Sequence, residues 1–267
     1  LPNGGLNEAG LAVEILWLDE TRYEPADDRP AVNALQWVQS MLDRCGTTSE
    51  VVAAARELRI VPMAGARTHY LVCDRLGACA VLEHLDGELR VTAGSGLQAK
   101  AITNDTCAAS QATLPELQGF GGTGQARAGR GSLARYTRAA VATKRVPAGR
   151  RLVDVAFDTL ETVRAGENTR WQIVYDLEKL QVHWRTTRVP RVKTIALRQA
   201  VAACPAPARF VDVHMARSGD VTGVLEPWSA EANRRLVRKS LKRMGPLALL
   251  LAPAAVALSQ QVRCAAP

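Results

Sequence analysis

Hydrophobic positions follow a helical period in residues 31–44, where apolar side chains recur every three or four positions. Cys45 and the glycine after it fit the end of that helix. Thr47 and Glu50 have the spacing of a capping box, which predicts that a second helix covers residues 49–58.

Short apolar runs of strand length flank this helical region, and turn residues separate them. A turn at residues 7–10, with Gly10 suited to positive φ, leads into an apolar strand, and residues 20–30 are a loop. Downstream, the pattern predicts a meander, with strands at 68–73, 78–84 and 88–92 and hairpin turns at 74–77 and 86–87. A fourth strand is predicted at 100–103, followed by a long loop over 105–131.

The second half of the chain repeats this order of elements. Two helices are predicted at 132–144 and 151–164, and three strands at 170–176, 181–187 and 191–196. The sequence of strands, helices, strands, helices and strands favours an α+β fold with antiparallel sheets over a doubly wound parallel sheet.

Composition and charge narrow the class of protein. Apolar residues make up 47% and charged residues 22% of the 267 positions, as in globular proteins. The net charge is +8, but the dense basic run is confined to residues 234–243 and aromatic residues are only 4%. No nucleic-acid motif accompanies this run, so we expect no nucleic-acid partner.

The two ends of the sequence are unusual. Leu1 begins a stretch that has no signal-peptide pattern, which we interpret as a fragment or a processed product. Residues 245–258 form an apolar run that is too short for a membrane span. Because this run follows a basic stretch, an interfacial tail is an alternative to a disordered one. We therefore divide the chain into residues 1–230 and a tail of residues 231–267.

Six cysteines and four histidines lack the spacing of a metal site. Cys73 and Cys79 could pair across a hairpin, but buried free thiols are the favoured interpretation. His69, His84 and His183 fall in strand patterns and His214 stands alone. We expect no metal and no cofactor.

Several segments in one order resemble the choloylglycine hydrolase and penicillin V acylase family of linear amide C–N hydrolases. The segments are LNEAGLAVEILWLDE, TTSEVVAAARELRIV, THYLVCDRLGACAVLEH, AITND, SLARYTRAA and NTRWQIVYDLEKLQVHWRT. The resemblance covers residues 5 to roughly 200. It implies the four-layer αββα sandwich of N-terminal nucleophile hydrolases, with two antiparallel sheets and an incomplete N-terminus.

The resemblance also implies a mechanism, in which a mature N-terminal cysteine attacks an amide carbonyl and its own α-amino group is the base. That nucleophile precedes the region found here, so the chain alone is expected to be inactive. Asn104 matches the family asparagine that stabilises the oxyanion, although an Asx-turn at a strand end is the simpler structural reading. Arg135 matches the active-site arginine, and a surface helix arginine is the alternative.

Trp17 lies where one branch of the family has an asparagine and another has an aromatic residue. Its indole N–H could donate to the oxyanion, its ring could line an acyl pocket, or it could pack in the core. The loops beside Asn104 and Arg135 depart from the family pattern, which leaves the substrate class open.

Penicillin V, conjugated bile acids and N-acyl homoserine lactones are the substrates that the resemblance suggests, together with a homotetramer in the periplasm or outside the cell. The rival hypothesis is a truncated, non-catalytic paralogue, associated with a membrane through its tail.

Overall fold

A computed structural model describes residues 2–62, 65–144, 147–200 and 208–242 of the chain. The strands are β1 (Gly4–Leu6), β2 (Ala12–Trp17), β3 (Ala31–Val32), β4 (Arg59–Ile60), β5 (Thr68–Cys73), β6 (Cys79–Leu85), β7 (Glu88–Ala93), β8 (Trp171–Asp176), β9 (Gln181–Thr186), β10 (Lys193–Ala196), β11 (Arg209–Phe210), β12 (Gly219–Asp220) and β13 (Glu226–Pro227). The helices are α1 (Ala34–Arg44), α2 (Thr48–Ala54), α3 (Cys107–Gln111), α4 (Ser132–Lys144), α5 (Leu152–Thr162), α6 (Leu197–Ala200) and α7 (Ala230–Lys242). Three short 3₁₀ turns cover Gly94–Gly96, Gly166–Asn168 and Thr222–Val224.

The first sheet has five antiparallel strands in the order β1-β2-β5-β6-β7. Alternate side chains of these strands point to opposite faces, and one face packs against α1 and α2. The buried residues of this layer are Val13, Tyr70, Val72, Ala80 and Leu82 from the sheet with Trp37, Val38, Met41 and Val51 from the helices. This cluster is the largest of the three hydrophobic clusters among the described residues.

The second sheet has four strands in the order β12-β10-β9-β8. β8, β9 and β10 are antiparallel as predicted, and β12 adds a two-residue parallel pairing at the edge of β10 that the sequence did not predict. α5 packs on β8, and α4 packs on α5. Glu14 of β2 and Tyr175 of β8 are hydrogen-bonded across the two sheets. The layers are therefore helices, sheet, sheet and helices, which confirms the α+β sandwich.

Local capping decides where the first helices begin. The predicted helix at 31–44 starts only at Ala34, because Asn33 is its N-cap and forms a capping box with Gln36. The two residues before the cap pair in parallel with β4 instead. The capping box of Thr47 and Glu50 is confirmed, and the helix that it opens is shorter than predicted.

The meander and the later elements match the predictions to within a few residues, and α4 has the predicted bounds. Two predictions were wrong: residues 100–103 are not a strand, and the supposed loop over 105–131 contains α3. The preference for free thiols was also wrong, because Cys73 and Cys79 form a disulfide between β5 and β6.

The predicted apolar run at 245–258 lies outside the described residues, as do Cys204 and Cys264. Within the described part, no helix has the length and apolar character needed to cross a bilayer.

Candidate active site

Asn104 lies in a segment before α3 that is tied to the start of α4. Its backbone N–H donates to the Ser132 hydroxyl at 2.7 Å. The Thr103 hydroxyl donates to the Ser132 carbonyl at 3.2 Å, so both residues of the segment are held by one residue of the helix. The segment therefore has a fixed position relative to α4 although it belongs to neither sheet.

Arg135 lies on the first turn of the same helix and binds the Asn104 side chain directly. Arg135 Nη2 donates to Asn104 Oδ1 at 2.6 Å, and Arg135 Nε donates to the Arg130 carbonyl at 3.3 Å. The Asn104 amide nitrogen Nδ2 donates to the Trp17 carbonyl at 2.9 Å. The structure thus joins Trp17, Asn104 and Arg135, which come from three distant parts of the chain.

These bonds orient the Asn104 amide. A guanidinium has only donors, so the side-chain oxygen must face Arg135 and the NH₂ group must face the other way. One N–H of that group binds the Trp17 carbonyl, and no hydrogen bond to another described residue uses the second. The second N–H is therefore available to an oxygen atom that enters the site.

Burial and charge act in opposite directions on Arg135. Desolvation lowers the pKa of its guanidinium, while the nearby Asp105 carboxylate raises it. Asp105 Oδ2 is buried and has no hydrogen-bond partner among the described residues. The Arg135 guanidinium thus has an opposite charge beside it in the site.

Trp17 is not a core residue, because 48% of its surface is exposed. Its indole N–H donates to Asp19 Oδ1 at 2.6 Å. Core packing was therefore the wrong alternative for this side chain. The indole donor is already engaged, whereas the ring is half exposed, and the backbone carbonyl of the same residue holds Asn104.

The four described cysteines are poor nucleophiles. Cys73 and Cys79 are bonded to each other. Cys45 and Cys107 are buried, and burial raises the pKa of both thiols, that of Cys107 to about 11. Because the thiolate is the reactive form, neither free thiol is activated.

Ser132 is the site residue that sequence reasoning missed. A serine at the start of a helix has many structural uses, and its hydrogen bond to Asn104 spans 28 residues. No local pattern signals such a contact. Across the described ranges, no cluster of three His, Cys, Asp or Glu residues could hold a metal ion.

Part of the chain is similar in sequence to proteins of one family. The family described as linear amide C–N hydrolases, choloylglycine hydrolase family, matches residues 3–113. A penicillin V acylase of Pectobacterium atrosepticum is 28% identical over 121 residues, which are 41% of this chain and 32% of that protein. The match thus spans about a third of the length of that relative.

Two solved structures share the fold. The penicillin V acylase from Agrobacterium tumefaciens superposes with a TM-score of 0.69 at 22% identity, covering 85% of this chain and 77% of that one. A variant of the conjugated bile acid hydrolase from Clostridium perfringens gives a TM-score of 0.62 at 16% identity, covering 80% and 75%.

Proposed function

We propose that the chain, whose residues 3–113 match the choloylglycine hydrolase family of linear amide C–N hydrolases, carries the oxyanion side of an amidase active site. The observation that carries the proposal is the bonding of Asn104 between the Arg135 guanidinium and the Trp17 carbonyl. This arrangement presents one amide N–H of known direction.

In the proposed reaction, a cysteine thiolate adds to the carbonyl carbon of a linear amide. The carbonyl oxygen gains the negative charge and accepts a hydrogen bond from the free N–H of Asn104, which stabilises the transition state. The amine then leaves with a proton, and water releases the acyl group from the sulfur. Arg135 keeps the Asn104 amide in one orientation and adds positive charge to the site.

The substrate class that we propose is an acyl amide of the penicillin V or conjugated bile acid type, in line with the proteins that this chain resembles. N-acyl homoserine lactones have the same linear amide bond and belong to the same proposal. The exposed ring of Trp17 is the described surface on which an apolar acyl group would pack.

We further infer that the nucleophile is not one of the cysteines of this chain. The four described ones are bonded or buried, and all six are internal, so their amines are in peptide bonds and cannot act as the base. The 267 residues by themselves are therefore expected to have no amidase activity. A homotetramer is a separate part of the proposal, which light scattering would test.

The test begins with the coding sequence upstream of Leu1. A longer product that starts with a cysteine after processing is assayed with penicillin V, a conjugated bile salt and an N-acyl homoserine lactone, beside the 267-residue chain. Turnover by the longer product alone supports the proposal. Turnover by the 267 residues would refute the inference about the nucleophile, and an inactive longer product would refute the amidase proposal.

α7 favours a second candidate, a non-catalytic protein that binds anionic membranes. Its basic residues are Arg234, Arg235, Arg238, Lys239 and Lys242, and Leu236 is exposed among them. Such a helix fits an anionic lipid surface. Co-sedimentation of the chain with phosphatidylserine vesicles tests this candidate, and the absence of binding at low salt would rule it out.

A further inference from the structure

One buried pair of side chains holds both ends of the segment that carries Asn104. His69 on β5 and Glu83 on β6 are only 0% and 3% exposed. His69 Nε2 lies 2.7 Å from the Thr103 carbonyl oxygen, and His69 Nδ1 lies 3.2 Å from Glu83 Oε1. The same Glu83 oxygen accepts a hydrogen bond from the backbone N–H of Cys107 at 2.8 Å.

We propose that His69 and Glu83 are positioning residues for the Asn104 amide. The pair binds the residue before Asn104 and the first residue of α3 after it, so it brackets the three residues between them. This inference rests on the proposed function in one respect, namely that Asn104 is the donor to the oxyanion. Displacement of Asn104 by a fraction of an ångström would weaken a hydrogen bond that matters only in the transition state.

The sheet itself sets the geometry of the pair. β5 and β6 are antiparallel, and their register pairs Tyr70 with Leu82. One residue beyond that pair, the same register puts His69 opposite Glu83, on the face away from α1 and α2. The two side chains are therefore held by backbone pairing and do not depend on the loop that they bind.

The hydrogen bonds also locate the protons of the pair. A carbonyl oxygen only accepts, so His69 Nε2 must carry a hydrogen to bind Thr103. A second proton must lie between Nδ1 and Glu83, because two acceptors cannot bond to each other. One proton is thus shared between His69 Nδ1 and the Glu83 carboxyl group, and the same Glu83 oxygen also accepts from the N–H of Cys107.

A second buried histidine of the same sheet, His84 of β6, provides a comparison. His84 Nδ1 lies 2.7 Å from Glu24 Oε2, and the His84 ring packs near Tyr23 and Tyr70. His84 Nε2 has no hydrogen-bond partner among the described residues. His84 thus pairs with a half-buried glutamate of the loop between β2 and β3, whereas His69 reaches the segment that carries Asn104.

The experiment uses ¹⁵N-labelled full chain and nuclear magnetic resonance at neutral pH. The variants are His69→Leu, which removes both ring contacts, and His69→Gln, whose amide keeps a donor near the position of Nε2; His84→Leu is the matched control. The side-chain amide signal of Asn104 is identified by its loss in Asn104→Asp. The readouts are that signal, the exchange rate of the Cys107 amide hydrogen and the ring nitrogens of His69.

In the unmodified chain, His69 Nε2 should carry a hydrogen, because it faces the Thr103 carbonyl oxygen. In His69→Leu, we expect the Asn104 amide signal to shift and the Cys107 amide hydrogen to exchange at least about tenfold faster, because the segment opens locally. His69→Gln should retain the Asn104 signal in large part, and His84→Leu should change neither readout. An unchanged Asn104 signal in a folded His69→Leu variant would overturn the proposal.

If His69→Leu does not fold, Glu83→Gln gives the same decision. This variant keeps the size of the side chain but weakens the acceptor to which both His69 and the Cys107 N–H are bonded. The Cys107 amide hydrogen is therefore expected to exchange faster. Unchanged exchange of this hydrogen would overturn the proposal. None of these readouts needs turnover. If Asn104→Ala proved fully active in the longer product, the proposed function would fail. The proposal that His69 and Glu83 position residues 103–107 would still be decided by the magnetic-resonance measurements.

Discussion

Arg135 Nη2 and Asn104 Oδ1 lie 2.6 Å apart, and this bond orients the amide group on which the proposed chemistry depends. The arginine is on the first turn of α4, while the asparagine belongs to a segment 31 residues earlier. A charged donor fixes the amide oxygen more firmly than a neutral one. The second N–H of the Asn104 side-chain amide consequently points in one defined direction.

Replacement of Asn104 should reduce turnover and leave the fold intact. In a longer product that shows amidase activity, Asn104→Ala is expected to lower kcat on the order of 10²–10³-fold with a small change in KM, as for other single oxyanion donors. Steady-state kinetics with penicillin V would measure this. Asn168→Ala, at an exposed position in a 3₁₀ turn, is the control and should retain full activity.

Loss of Arg135 should not add to loss of Asn104. Residues of one hydrogen-bonded unit have non-additive effects, so Arg135→Ala combined with Asn104→Ala is expected to lower kcat about as much as Asn104→Ala alone. A double-mutant cycle measures the difference. If the factors by which the two single substitutions lower kcat multiplied in the double variant, the arginine would act on the substrate independently of the asparagine.

The first sheet and the helices that cover it, α1 and α2, could be predicted because the sequence patterns that specify them are local. Asp86 and Gly87 both have positive φ, as a tight hairpin requires. An Asp-Gly pair between two apolar runs already predicts this hairpin from the sequence. The capping box of Thr47 and Glu50 was visible in the same way. Alternation and capping depend on neighbours a few residues apart, which a single sequence contains.

The segment around Asn104 could not be predicted, because distant groups determine its backbone. Ala101 and Ile102 look like strand residues, but Ala101 packs in a core cluster with Tyr136, and Thr103 is bound by His69 and Ser132. These partners are about 30 residues away. The resemblance to a family suggested that Asn104 and Arg135 are in one site, whereas their hydrogen bond is visible only in the structure.

Glu14 should make the stability of the protein depend on pH. Burial between the sheets raises the pKa of its carboxyl from 4.5 to about 7, although a hydrogen bond from Tyr175 opposes the shift. A raised pKa in the folded state means that the folded protein holds the proton more tightly than the unfolded chain. The contribution of Glu14 is therefore most favourable below pH 4.5 and is lost as the pH rises through about 7.

Urea unfolding between pH 4.5 and 8 tests this, with Glu14→Gln as the variant. A shift of this size corresponds to at most about 3 kcal/mol in the free energy of unfolding. We expect the unmodified chain to lose stability relative to Glu14→Gln by roughly that amount over the range. Glu88→Gln, at an exposed position of β7, should not change the profile. Parallel curves for Glu14→Gln and the unmodified chain would contradict the assignment.

The Cys73–Cys79 disulfide should stabilise the hairpin of β5 and β6, whose register places the two residues opposite each other. Closure of so short a loop is worth about 2 kcal/mol in the chain-entropy description. Reduction is therefore expected to lower Tm by roughly 4–8 °C. Cys73→Ser/Cys79→Ser should melt like the reduced protein and should not respond to reductant. Cys45→Ala, at a free thiol, should keep the full response to reductant. A reductant effect that persists in the double serine variant would show that another pair of cysteines is responsible.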